Sequence, residues 1–145
     1  KWARMAAGVV VDFTTAMTGE LFALLRTHGV LARQLGHPVE PGAAFLAGVA
    51  EGAKRDLAAS LFAIRARGVL GLADDADAAS FASGLLIGAD TAARIESGTT
   101  VHILADPALG ALYAGAIDAL GGTSHAIDSQ AAFVAGITRI KDLAA

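Results

Sequence analysis

The stretch from Thr99 to Ile140, TTVHILADPALGALYAGAIDALGGTSHAIDSQAAFVAGITRI, constrains the fold more than any other part of the chain. Val101 to Leu104 is an apolar run short enough for a buried strand. Asp106 then caps a helix whose first residue is Pro107, where the missing N–H costs nothing and a side-chain oxygen can take up a free backbone donor. Gly121-Gly122 offers a left-handed stop. A second short strand is expected at His125 to Asp128, and a last helix at Ser129 to Leu143 carrying Phe133, Val134, Ile137 and Ile140. Strand, helix, strand, helix over some forty residues is a crossover between parallel strands, which places the chain among α/β proteins.

The first residues read differently. Lys1 to Met5 and Val9 to Ala16 flank a short Ala-Ala-Gly connection in which Gly8 can adopt positive φ, as an antiparallel hairpin requires. At Thr18 the apolar period changes from that of a strand to that of a helix. Leu21, Leu24, Leu25 and His28 share one face, with Thr18 placed as N-cap and Glu20 in the first turn, where a negative charge is favoured. That helix is expected to run to about Leu35, with an interruption at Gly29. GHPVEPG, with two of the three prolines, breaks the chain. Helices are then expected over Ala43 to Ala53, Asp56 to Arg67 and about Ala76 to Glu96. The last of these carries Phe81, Leu85, Ala89, Ala92 and Ile95 on its buried side, with Gly84 and Gly88 as a small-residue groove. The resulting architecture is one mixed sheet, a hairpin plus parallel strands, with helices on both faces.

Composition removes several functions. Apolar residues make up 54% of 145 residues against 17% charged, so part of the surface is expected to be covered by a partner domain or a second subunit. A net charge of −3 with no Lys/Arg run argues against nucleic-acid and membrane-surface binding. No stretch is apolar enough to span a membrane. The absence of cysteine removes disulfides and thiolate chemistry, and a cytoplasmic location is the expectation. The four histidines at 28, 37, 102 and 125 show no metal-ligand spacing. Ser124, His125, Asp128 and Ser129 are too crowded for a hydrolase triad and lack a G-x-S-x-G elbow. Neither GxxxxGK[ST] nor GxGxxG occurs.

In an open α/β sheet, ligands lie beyond the carboxyl ends of strands, where helix N-termini present free N–H groups. Two turns meet that condition, Ala16 to Glu20 and Ala105 to Leu109. At each of them, capping of the helix competes with a ligand-contacting role.

Four ordered blocks, KWARMAAGVVVDFTTAMTGELFALL, SLFAIRARGVLG, FASGLLIGAD and ILADPALGALYAGAIDALG, together resemble the C-terminal half of the 2-keto-3-deoxygalactonate kinases. The resemblance covers essentially the whole chain. It implies a ribonuclease-H-like (actin-like ATPase) lobe with a helical insertion at about 40–72, within a sugar-acid kinase of two α/β lobes that binds Mg-ATP between them. It implies transfer of the γ-phosphate to the 6-hydroxyl of 2-keto-3-deoxygalactonate. The family's TGEL block falls on Thr18 to Leu21, its SGLLIGA block on Ser83 to Ala89, and its GxPAL turn on Ala105 to Leu109, where Ala105 replaces a common glycine. Nucleotide contacts are therefore expected from Ala105, Asp106, Leu109, Gly84 and Gly88, and a phosphate or cleft rim from Thr15, Thr18 and Gly19. Of the family's PGTHxKW segment only Lys1 and Trp2 are present. The resemblance thus implies an N-terminal lobe and a first strand upstream of Lys1, and a catalytic base outside this chain. The competing expectation is a non-catalytic actin-like lobe that binds or self-associates through its apolar surface.

Overall fold

The computed structural model describes residues 1–144. Strands β1 (Trp2–Ala6) and β2 (Val9–Thr14) form an antiparallel hairpin, turned at Ala7 and Gly8 with φ of 48° and 79° and carrying a bulge between Arg4 and Met5. Then come helix α1 (Thr18–Thr27), a single 3-10 turn (Gln34–Gly36), and helices α2 (Ala43–Gly52), α3 (Leu57–Val69) and α4 (Asp75–Ala92). The chain closes with the predicted crossover, β3 (Thr100–Ile103), α5 (Pro107–Ala119), β4 (Thr123–Ala126) and α6 (Ser129–Ala144). Strands β3 and β4 are parallel, with His102 beside His125 and their rings stacked at 5.5 Å.

The expected single mixed sheet is instead two separate two-stranded sheets, β1-β2 and β3-β4. No described strand lies between β1 and β3 to join them, so each keeps an open edge. Two further expectations change. Helix α1 ends at Thr27, and its packed face is Phe22 and Leu25, while Leu21 and Leu24 stay exposed. The second crossover strand starts two residues early, at Thr123, because Gly121 takes φ 83° and turns the chain at once.

The core is helical. Helix α4 is the central element, with twelve buried residues, and α2 lies along it. Small residues make this approach possible. A Cβ on Gly48 or Gly52 would collide with the Phe81 or Leu85 carbonyl oxygen of α4, and one on Gly84 with the Phe45 carbonyl oxygen of α2. Phe45 and Val49 then pack with Ile87 and Ala116, binding α2, α4 and α5 together, while Leu31, Leu35, Ile64, Ala79 and Ala82 fill the other side.

Candidate functional site

The carboxyl ends of β2 and β3 open on one cleft of about 260 Å³. Ala16, Thr18 and Gly19 follow β2, and Leu104, Ala105 and Leu109 follow β3. Lys1 and Trp2, at the start of β1, close a third side, and Val101, Ile103, Tyr113 and Ile117 form the apolar remainder. The two turns singled out in the sequence thus meet in space, as the strand-end rule requires.

The two helix N-termini at this cleft differ in how they are finished. On α5, Asp106 is the N-cap and its Oδ1 accepts from the Leu109 N–H at 3.0 Å, with Pro107 in the first turn. On α1 the expected Thr18 cap is not made. The N-cap position belongs to Met17, no side chain caps the helix, and Thr18 is already the first helical residue. Its hydroxyl faces the Tyr113 phenol instead. The first N–H groups of α1 therefore have no side-chain partner at an end bordering the cleft, and the helix dipole adds partial positive charge there. Lys1 lines the same space.

Behind the cleft lies a polar cluster that the sequence did not reveal. Asp90 of α4 is buried, and its Oδ2 accepts hydrogen bonds from Trp2 Nε1 at 3.1 Å and from the Tyr113 hydroxyl at 3.0 Å. Its Oδ1 lies 2.8 Å from Arg94 Nη1. That N–H is directed to the Asp90 backbone carbonyl oxygen at 2.9 Å, so the contact at Oδ1 is ionic rather than a hydrogen bond. Trp2 and Tyr113 meet edge to face at 6.2 Å. Tyr113 had a signal available, since Leu109, Tyr113 and Ile117 recur every four residues and so share one face of α5.

Burial pushes the Tyr113 hydroxyl up from its ordinary 10.0 to about 12, and the neighbouring Asp90 charge and its hydrogen bond act in the same direction. The Thr18 hydroxyl and Arg94 oppose it. Tyr113 is the only tyrosine, so the ultraviolet absorbance of phenolate reads this group alone. We expect half-ionisation near pH 12 in the folded chain and near 10 after unfolding. A raised folded value favours the neutral phenol, so its contribution to stability is complete below pH 10 and is lost as pH rises from 10 to about 12. Titration of the folded chain at 10 would contradict this placement.

The remaining sequence candidates fall elsewhere. Gly84 and Gly88 are buried against the α2 backbone, so the groove expected to approach a nucleotide is filled by a helix. Thr15 is exposed and does not line the cleft. Asp106 is absent from the cleft lining between Ala105 and Leu109 and serves as the cap of α5. Ser124 Oγ donates to Asp118 and Asp128 caps α6, which leaves no hydrolase arrangement there. Among the described residues no group of three metal-ligating side chains forms, and no helix is long and apolar enough to cross a membrane.

These features define an α/β chain with a cleft at its strand ends, bordered by Lys1 and by the uncapped N-terminus of α1. Its sequence matches the profile of the 2-keto-3-deoxy-galactonokinase family over residues 1–140, and the chain belongs to that family. It is 35% identical over 144 residues to the 2-dehydro-3-deoxygalactonokinase of Escherichia coli (strain K12), covering 97% of this chain and 49% of that protein. A Rhizobium meliloti (strain 1021) protein assigned the same kinase name is 32% identical over 146 residues, covering 95% of this chain and 48% of that protein. A crystal structure from Sinorhizobium meliloti, described under the same name, superposes with a TM-score of 0.85 at 32% identity, over 95% of this chain and 47% of that one. The chain thus spans about half the length of these relatives.

Proposed function

We propose that this chain is the nucleotide-side lobe of a two-lobe sugar-acid kinase, ribonuclease-H-like in its strand plan, that transfers the γ-phosphate of ATP to the 6-hydroxyl of 2-keto-3-deoxygalactonate. The observation that carries this reading is the uncapped N-terminus of α1, which meets Lys1 and the Ala105–Leu109 turn in one cleft of a chain whose family is that of the galactonate kinases. Free N–H groups, a helix dipole and a lysine are what a polyphosphate needs. Thr18 and Gly19 border the phosphates, with Thr15 outside the wall. Ala105 and Leu109 offer an apolar face to the base, and Asp106, with Oδ1 engaged as a cap, reaches the ribose only from the rim.

No acidic side chain lines the cleft. A magnesium ion would therefore be held by the nucleotide's phosphates and by groups outside these residues, where it would neutralise charge developing in phosphoryl transfer. The catalytic base likewise belongs to the other half of the enzyme. The open edges of β1 and β3 both border the cleft, and we place between them a strand from that half, which would join the two small sheets into the single mixed sheet the sequence implied. The α2–α3 segment is then a helical insertion within the lobe.

The test is the polypeptide at the length of its relatives, supplied with ATP, magnesium and either 2-keto-3-deoxygalactonate or its gluconate epimer, with ADP release measured. ATP-dependent turnover of the galactonate compound supports the assignment, and turnover of neither overturns it. A Cβ on Gly19 would meet nothing within 4 Å, so Gly19→Val fits the fold but intrudes on the phosphates. We expect it to raise the KM for ATP about tenfold, equivalent to about 1.4 kcal/mol of lost binding.

A further inference from the structure

Asp90 does not line the cleft, yet two of the cleft's walls end on it. Among the described residues the hairpin β1-β2 packs against no other element through its backbone. Its side-chain ties to the helices include the Trp2 hydrogen bond to Asp90 on α4 and the Trp2 ring edge on Tyr113 of α5. Tyr113 in turn donates to the same Asp90 oxygen. A single buried carboxylate oxygen therefore sets the positions of two aromatic side chains from two elements far apart in sequence, and Arg94, in the turn just past the end of α4, holds the carboxylate by its other oxygen.

We propose that Asp90 is the positioning residue of this cleft, holding Trp2 and Tyr113 as its walls and so fixing the distance between the start of β1 and the N-termini of α1 and α5. It is not a catalytic residue, because both of its oxygens are engaged within the protein and neither faces the open space. Removing the carboxylate frees the Trp2 indole N–H and the Tyr113 hydroxyl together, and leaves the Arg94 guanidinium partly buried without its counter-charge, an unfavourable arrangement. The cleft then loses its shape while every residue that would touch a ligand is still present. The effect on nucleotide binding rests on the function proposed above; the effect on the two aromatic residues does not.

Trp2 is the only tryptophan and Tyr113 the only tyrosine, so each reports separately. In Asp90→Ala we expect Trp2 emission to move to longer wavelength, its quenching by acrylamide to rise, and affinity for a fluorescent ATP analogue to weaken about tenfold, as for loss of about 1.4 kcal/mol. Tyr113→Phe should weaken that affinity in the parent chain but add nothing in the Asp90→Ala background, because the two changes remove one shared interaction. A purely structural role would lower the melting temperature and leave emission, quenching and affinity unchanged below it. Should the alanine variant fail to fold, Asp90→Asn decides. Its amide removes the negative charge from a phenol otherwise faced by Arg94 just past α4 and the Thr18 hydroxyl of α1, with Lys1 elsewhere in the cleft lining. Titration of Tyr113 in that variant should move down from about 12 toward its ordinary value. Unchanged Trp2 emission in folded Asp90→Ala, or an unchanged Tyr113 titration in Asp90→Asn, overturns the proposal. If the parent chain binds no ATP analogue while these signals still move, Asp90 keeps its role and the nucleotide reading of the isolated chain is what fails.

Discussion

Gly84→Ala should cost about 3 kcal/mol or more of stability, the upper end of what overpacking costs in a closely packed interior. The added methyl group has nowhere to go. It would fall on the Phe45 carbonyl oxygen, with the Val49 backbone nitrogen 3.1 Å away, and backbone cannot step aside as a flexible side chain can. Relief requires α2 to move off α4 along much of its length, because Gly48, Gly52 and Gly88 make the same kind of approach at successive turns. That separation would open the layer of Phe45, Val49, Ile87 and Ala116 behind it. For a chain of this size, the loss corresponds to a fall in melting temperature on the order of 10 °C. Circular dichroism melts check it, with Gly136→Ala on α6 as the control. A Cβ there meets nothing within 4 Å, and alanine is the better helix former by about 1 kcal/mol, so that variant should melt no lower than the parent. If Gly84→Ala melts with the parent, the backbone approach of α2 and α4 is wrong.

The same glycines show where sequence reasoning reaches and where it stops. Gly84 and Gly88 stand one turn apart on α4 and announce a close approach, but a glycine does not say what approaches. A nucleotide and a helix backbone demand the same missing side chain. The answer lay in Gly48 and Gly52, spaced the same way on α2, where matching small residues point to two helices meeting. Asp106-Pro107 was readable because both residues act locally, one through its side-chain oxygen and the other through its missing N–H, and the structure makes that cap. Thr18 was misread for the opposite reason. The helix begins at Thr18 and leaves the N-cap position to Met17, so the Thr18 hydroxyl is carried toward Tyr113, ninety-five positions away, where it cannot cap. Asp90 was invisible as a hub, since a lone acid on an apolar helix reads as a solvated residue until Trp2 and Tyr113 are brought to it. The hairpin and the parallel crossover were each legible, yet that they form two separate sheets rather than one was not, because no residue within β1 or β3 announces whether their edges meet.

The isolated chain should self-associate through α6, and Phe133→Glu with Ile137→Glu should abolish it. Phe133, Val134, Ile137, Ile140 and Leu143 recur at helical spacing and are each more than half exposed, and among the described residues no other element packs its backbone against α6. Five large apolar side chains on one face of a sixteen-residue helix are more than a scattered surface residue or two, and contiguous apolar patches of this kind mark interaction sites. Burying each contributes about 2 kcal/mol, so replacing two of them should weaken association by at least about 1,000-fold, or about 4 kcal/mol. Sedimentation equilibrium of the chain and the double variant checks this, and a monomeric parent chain at micromolar concentration would refute it. The outcome in the longer polypeptide separates the two roles open to this surface. If a second lobe completes the sheet and α6 packs inside the enzyme, the glutamates should lower the melting temperature there and leave the association state alone. If α6 joins copies of the molecule, they should dissociate the longer protein as well, and turnover with ATP and the sugar acid should then depend on protein concentration only in the parent.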